Sequence, residues 1–338
     1  MTLATFWFIV IAFLWVGYLF LEGFDLGVGM LMKVFARDER ERRVLLNTIG
    51  PVWDGNEVWL VTAGAMTFAA FPYWYASLFS ALYLPLTLVL LGLIFRAVAI
   101  EYRGKGHTQR WRDRWDWAMA LGSFVSAFGV GAALALTSTG LPLNENGDRV
   151  GGAFAWLTPW AVLGGLAVVG FALIHGCAFL MLKTDGEIRH RARRALVRWL
   201  PLGILPLAAW AVGVQFLSGE LFSLIPLAVA VVAVVVAWLM AYREKEGLSF
   251  AFLGVFLLAG AVSIFAAMYP VVLPSTLDAA WNLTVENASS TPYTLKVITW
   301  VSVFGLPIVV LYQGWTYWVF RKRVSTQSIP DVHKISVQ

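Results

Sequence analysis

Apolar residues run along most of this chain without the regular polar interruptions that give a soluble helix its wet face. Stretches of about 20 or more such residues, the length that crosses a hydrocarbon core of ~30 Å, recur nine times. They lie near 4–34, 45–70, 73–101, 116–137, 153–182, 195–217, 221–242, 248–270 and 293–320. Only helices and closed barrels can span a bilayer, and runs of this length specify helices. The prediction is an all-α polytopic membrane protein with nine transmembrane helices. The connectors around Phe71–Tyr75 and Ser218–Glu220 are short, so the second and third helices, and the sixth and seventh, are expected to be antiparallel neighbours.

The polar positions between these runs carry a strong asymmetry. Of the 25 Lys and Arg, 23 fall in alternate connectors, their adjoining helix ends and the tail, and only Arg149 and Lys296 fall on the other side. The positive-inside rule then places the N-terminus outside and the C-terminus in the cytoplasm. This bias holds through all nine crossings, which supports the count independently. The first run is too long, and Met1–Phe6 too free of basic residues, for a cleaved signal peptide, so it is expected to be retained.

Composition removes other classes. With 59% hydrophobic and 13% charged residues and a mean hydropathy of +0.74, too little polar surface exists to cover a soluble core. The net charge of +5 would suit nucleic acid, but its placement along one side of a membrane excludes that partner. Many of the 17 Trp stand at the ends of apolar runs and are expected to form interfacial belts. Cys177 is the sole cysteine, which excludes an internal disulfide and a Cys-ligated iron–sulfur cluster. Of His107, His175, His190 and His333, only His175 lies in an apolar run, and a bis-His haem needs a second at that depth. His175 therefore reads as a packing or hydrogen-bonded residue, and no metal site is expected. No phosphate-binding loop, dinucleotide motif or hydrolase triad appears, so no complete active site is expected in this chain.

A faint repeat groups the helices. Met30-Leu31-Met32-Lys33 is echoed by Leu180-Met181-Leu182-Lys183, Pro51 by Pro201, and Tyr102-Arg103-Gly104-Lys105 by Tyr242-Arg243-Glu244-Lys245. Basic helix exits resemble one another for topological reasons alone, and that reading stands beside a true repeat. A true repeat implies one four-helix bundle over 1–150, a second over 151–270, and an outer loop, peripheral ninth helix and cytoplasmic tail over 271–338. His175 then occupies, eight residues before Lys183, the place that Asp25 holds before Lys33.

The acids carry the chemistry. Glu22, Asp25, Asp54 and Glu57 lie well inside the first two runs, where each charge costs at least ~2.5 kcal/mol, so they are expected to face protein or water. Each pair is spaced i,i+3, on one helix face. Counting ~1.5 Å per residue puts Asp25 and Asp54 at one level, about 15 Å from the cytoplasmic side. Gly23, Gly27 and Gly29 thin the helix face beside Asp25, and Arg96 in the third run is the expected counter-ion. Asn56, Trp53 and Trp59 complete a polar and aromatic turn. Two readings remain open: a cytoplasm-facing proton half-channel, and a buried ion-pair cluster that locks three helices.

The run Glu22-Gly23-Phe24-Asp25-Leu26-Gly27-Val28-Gly29, followed by Gly50-Pro51-Val52-Trp53-Asp54-Gly55-Asn56-Glu57-Val58-Trp59-Leu60, resembles subunit II of the cytochrome bd family of quinol oxidases. Phe95-Arg96, Glu101-Tyr102-Arg103, Lys183-Thr184-Asp185-Gly186-Glu187 and Asn287-Ala288-Ser289-Ser290 extend the match over residues 20 to 320. The resemblance implies two four-helix bundles plus a peripheral helix, in a bacterial cytoplasmic membrane, paired with a haem-bearing subunit I. That partner is expected to hold two haems b and one haem d, with quinol as substrate of the complex and O₂ reduced to water. A structural quinone in this subunit and a small accessory subunit are features of some members. Asp25 and Asp54 match family acids implicated in proton delivery, Trp59 a Trp near an oxygen-access route, and Arg96 a basic residue beside the acids. Glu57 fills a position held by Glu or Gln in the family. Intramembrane acids and Gly-rich helices also suit a proton-coupled secondary transporter, which requires charged or broken helices in both halves. The sixth to eighth runs read as continuous apolar helices, which weighs against it.

Overall fold

The structure, a computed structural model, describes residues 1–106 and 108–329; His107 and residues 330–338, with His333, lie outside the described residues. Among the described residues, eleven α-helices follow one another: α1 (Leu3–Phe35), α2 (Glu39–Ile49), α3 (Trp53–Ala70), α4 (Pro72–Ala81), α5 (Tyr83–Tyr102), α6 (Gln109–Thr139), α7 (Pro159–Lys183), α8 (Gly186–Ser218), α9 (Leu224–Tyr242), α10 (Glu246–Met268) and α11 (Pro292–Val319). Polar side chains start several of them. Thr2, Asp38, Thr108, Thr158 and Thr291 each accept the amide three residues on, satisfying an orphan donor of the first turn. Between α10 and α11, the outer loop holds a two-stranded antiparallel sheet, β1 (Val271–Leu273) with β2 (Leu283–Thr284), and isolated bridges such as Thr184 with Val324 add short pairings to an otherwise helical fold.

Two of the nine predicted spans are not single helices. Pro51 has no amide hydrogen and its ring displaces the carbonyl four residues back, so the second span ends at Ile49 and restarts at Trp53. Pro85 likewise leaves the Ala81 carbonyl without its helical donor, and α4 stops there, with Arg149 Nη1 3.5 Å from that oxygen. Among the described residues, eight helices are long and apolar enough to cross a membrane. The 18-residue α3, which carries Asp54 and Glu57, is not one of them. In contrast, α8 runs unbroken through Pro201 and Pro206.

The core forms around α1 and α7. Gly27 and Gly176 let these helices touch backbone to backbone: a Cβ on Gly27 would stand 1.9 Å from the Ala172 carbonyl oxygen. Gly27 thus serves the contact with α7, while Gly29 meets Ser123 of α6. On its other flank α1 packs against α3, and α6 lies against both α5 and α7. In α11 only Leu295 is buried, so this helix rides on α3 and α1 with most of its surface outward. Several tryptophans belong to the core rather than to an exposed belt: Trp7, Trp15, Trp59, Trp74 and Trp210 are all buried. Trp7 Nε1 donates to Thr299 Oγ1 at 3.0 Å and Trp210 Nε1 to Ser138 Oγ at 3.0 Å, so their polar edges clip helices together.

Where the basic connectors cluster, ion pairs staple the helix ends. Glu39 of α2 takes Arg103 in a two-pronged contact of 2.8 Å on each arm, and the buried Asp116 of α6 shares the same guanidinium. Burial pushes the Glu39 carboxyl up, but the paired Arg103 outweighs it and holds the group below its ordinary value. Lys33 meets Asp113 at 2.6 Å, and Arg191 meets Glu41 at 2.6 Å.

Candidate functional site: an intramembrane acid cluster

Tyr18, Glu22, Asp25 and Gly29 fall at i, i+4, i+7 and i+11, one stripe down α1, and all four are buried. The Pro51 break sets the start of α3 against this stripe. Asn56 is fully buried, and its Nδ2 donates to Asp25 Oδ2 at 2.6 Å and to the Leu21 carbonyl at 3.2 Å. That carbonyl only accepts, so the amide nitrogen must lie on the α1 side and Oδ1 must face away. Two side chains of α11 meet this oxygen: Gln313 Nε2 donates at 2.7 Å and Tyr317 Oη at 2.8 Å. Asp25 is therefore held by Asn56, which is held by the last helix.

A second group forms one turn away. Arg96 of α5 is fully buried and places Nη1 2.6 Å from Glu22 Oε1 and 3.3 Å from Glu57 Oε2. One guanidinium thus draws carboxylates from α1 and α3 onto α5. The Glu22 contact is an ion pair without hydrogen-bond geometry, and neither Glu22 oxygen has a hydrogen-bond partner. Each buried polar atom left unpaired costs about 1–3 kcal/mol, so this seam is expensive to maintain as a purely structural device.

Of the residues predicted from sequence, Asp25, Glu22, Glu57, Arg96 and Asn56 are brought together. Asp54 is not: it is exposed on the first turn of α3, facing out of the chain. Trp53 is half-buried at the same helix start. Trp59 is buried, lies over Gly17 and packs edge-on against Phe13 with ring centroids 6.2 Å apart. It also lines a cavity of about 240 Å³ between α1, α3 and α11, together with Trp7, Thr62 and Gly305. His175 lies in a cage of Phe20, Phe24, Phe171 and Phe250, stacked on Phe250 at 4.7 Å. Its Nε2 meets the Phe20 carbonyl at 2.9 Å, which requires the proton on that nitrogen. Gln313 and Tyr317 were missed. A polar pair at i,i+4 inside an otherwise apolar run is their only sequence signal.

An all-helical, multi-pass membrane protein with a buried acid cluster on its first helices is the class these features define. Residues 3–320 match the family model for cytochrome bd terminal oxidase subunit II, and the chain belongs to that family. It is 40% identical over 326 residues to the cytochrome bd ubiquinol oxidase subunit 2 of Bacillus subtilis (strain 168), covering 94% of this chain and 96% of the relative. It is 35% identical over 364 residues to the cytochrome bd-I ubiquinol oxidase subunit 2 of Escherichia coli (strain K12), covering 96% and 95%. The fold is shared with a chain of the bd oxidase from Geobacillus thermodenitrificans, with a TM-score of 0.78 at 19% identity over 95% of this chain and all of that one. The protein is thus a subunit of a quinol oxidase, a haem-containing oxidoreductase of the respiratory chain, and a subunit II implies a partner subunit.

His175, the histidine inside an apolar run, is not placed to hold a haem. His175 spends Nε2 on a backbone carbonyl and is enclosed by aromatic rings, which leaves no open axial face. Among the described residues, no group of three or more His, Cys, Asp or Glu is arranged to hold a metal ion.

Proposed function

We propose that this chain supplies protons from the cytoplasm to a haem-bearing subunit I, which carries two haems b and a haem d, oxidises quinol and reduces O₂ to water. Reduction of oxygen consumes protons, and groups that titrate inside the bilayer can pass them where bulk water does not reach. The observation that carries this reading is Asp25, fully buried, with one oxygen fixed by Asn56 and the other free of any hydrogen-bond partner. Buried side-chain oxygens are usually paired, so the free Oδ1 supports a role beyond structure. Glu22 and Glu57, held on Arg96, belong to the same route, and Trp53 frames its entry. Trp59, beside the cavity under α11, suits the passage of a small apolar molecule such as oxygen.

Asp54 sets the orientation of the assembly. A carboxylate on a bilayer helix is disfavoured against lipid, so the outward face at the start of α3 is the face that subunit I or its hydration covers. Nine crossings follow if α2 and α3 count as one broken span: ~27 Å of helix in α3 nearly matches the ~30 Å core, and α2 extends it. With the basic connectors inward, the N-terminus is outside and the C-terminus cytoplasmic, in a bacterial cytoplasmic membrane. The two bundles over 1–150 and 151–270 follow from the sequence repeat, with α1 and α7 meeting at Gly27 and Gly176.

A second reading, the ion-pair lock, is favoured at Arg96, which grips two acids at once. Substitution separates the two. Asp25→Asn, or Asp54→Asn, in the assembled oxidase is expected to slow quinol-driven oxygen consumption while haem content stays unchanged. Unchanged turnover in both variants would remove the proton route, and loss of haem would assign the acids to assembly.

A further inference from the structure

The helical hydroxyls of this protein divide into two kinds. Thr67, Thr137, Ser138 and Thr139 bond back to a carbonyl of their own helix, as buried hydroxyls in apolar helices do. Ser123 and Ser126 of α6, both fully buried, do not, and neither meets any other hydrogen-bond partner. They lie where α6 meets α1 and α5. Ser123 touches α1 at Gly29, one turn from Asp25, and Ser126 touches α5 at Gly92, one turn from Arg96. Gly122, just before Ser123, brings α6 against the Gly92 backbone, and a Cβ there would stand 3.4 Å from Arg96 Cβ.

Unpaired atoms converge on this seam. Among the described residues, eight of the fourteen buried side-chain nitrogen and oxygen atoms without a hydrogen-bond partner belong to six residues of α1, α5 and α6. They are Tyr18 Oη, both Glu22 oxygens, Asp25 Oδ1, Arg96 Nε and Nη2, and the two serine hydroxyls. The set contains donors, acceptors and hydroxyls that serve as either. Such a mixture suits a small ligand that both gives and takes hydrogen bonds and needs two to four partners at each position, which is water. An inorganic cation would leave the arginine donors unmet, and an anion would be repelled by the carboxylates.

We propose that the α1–α5–α6 seam binds a file of ordered water, running from Ser123 past Asp25, Ser126 and the Glu22–Arg96 pair toward Tyr18. The stripe from Gly29 to Tyr18 covers ~16 Å of α1, so more than one molecule is required to connect its ends. The file deepens the proton reading of Asp25 and rests on it for its role, but not for its existence.

A map of the assembled oxidase at a resolution that displays water tests the site directly. Density is expected within hydrogen-bonding distance of Ser126 Oγ, Asp25 Oδ1 and Tyr18 Oη, and is expected to be lost beside residue 126 in Ser126→Ala. That variant removes one small hydroxyl and leaves the helix contact at Gly92 in place. A dry seam in the native complex, or density unaltered in Ser126→Ala, would overturn the proposal whatever Asp25→Asn does to turnover. Conversely, full activity of Asp25→Asn with water in place would remove the proton reading and leave the binding site standing.

Discussion

Single residues decide the chemistry of this subunit because each charge inside the bilayer needs a named partner. Arg96 holds two carboxylates, so Arg96→Leu strands Glu22 in a buried place without its counter-charge, at a cost of about 3–5 kcal/mol. The expected result is poor recovery of assembled oxidase and a lower melting temperature, with Arg96→Lys intermediate because a point charge replaces the two-armed fork. At the basic edge, Glu39 has its proton affinity lowered by Arg103. A carboxyl lowered in the folded state stabilises above its unfolded value of 4.5 and loses that contribution as the pH falls through the folded one. Thermal stability of the complex measured across that acid window should therefore fall less in Glu39→Gln than in the parent. Asp25, Glu22, Glu57 and Arg96 were legible in the sequence because a charge in an apolar run has no innocent explanation. The outward turn of Asp54 was not, since the helix phase after the Pro51 break cannot be counted across it.

At the scale of elements, α11 matters more than a peripheral helix should. It buries one residue, yet supplies both donors that fix the Asn56 amide. Removing both, in Gln313→Leu with Tyr317→Phe, leaves a buried carbonyl oxygen unpaired and is expected to destabilise the complex by about 1–3 kcal/mol. Either substitution alone should cost less, because one donor remains; paired melting curves read the difference. The contact of α1 with α7 is less tolerant. Gly27→Leu drives a side chain into the Ala172 backbone, which has no rotamer to change, and the expected outcome is loss of assembled protein on a native gel. Span positions were legible from hydropathy alone. The helix breaks at residues 50–52 and at Leu82 were hidden, because proline inside an apolar run also occurs in unbroken helices, as Pro201 and Pro206 of α8 show.

For the whole molecule, topology follows from where the basic residues lie, and labelling tests it cleanly because the sole native thiol, Cys177, is buried. Lys296→Cys should react with an impermeant maleimide added to intact cells, while Arg110→Cys should react only after lysis. The reverse pattern would invert the orientation. Family and broad architecture were legible from two short motifs and a charge count. What remained hidden is long-range: which helix completes the acid cluster depends on how the helices close on one another, and no local pattern encodes it.

The closing step has a clasp. Beyond α11, Val324 pairs with Lys183 and Asp185 through backbone bonds of 2.9 and 3.2 Å, Arg323 reaches Glu246 at 2.8 Å, and Ile329 is buried. The helix that braces Asn56 is thus buckled to the ends of α7 and α10. Since a ribosome makes Asn56 early and this buckle last, the amide waits unsupported through most of synthesis. A product cut short before residue 313 would insert all its acids and never finish their setting.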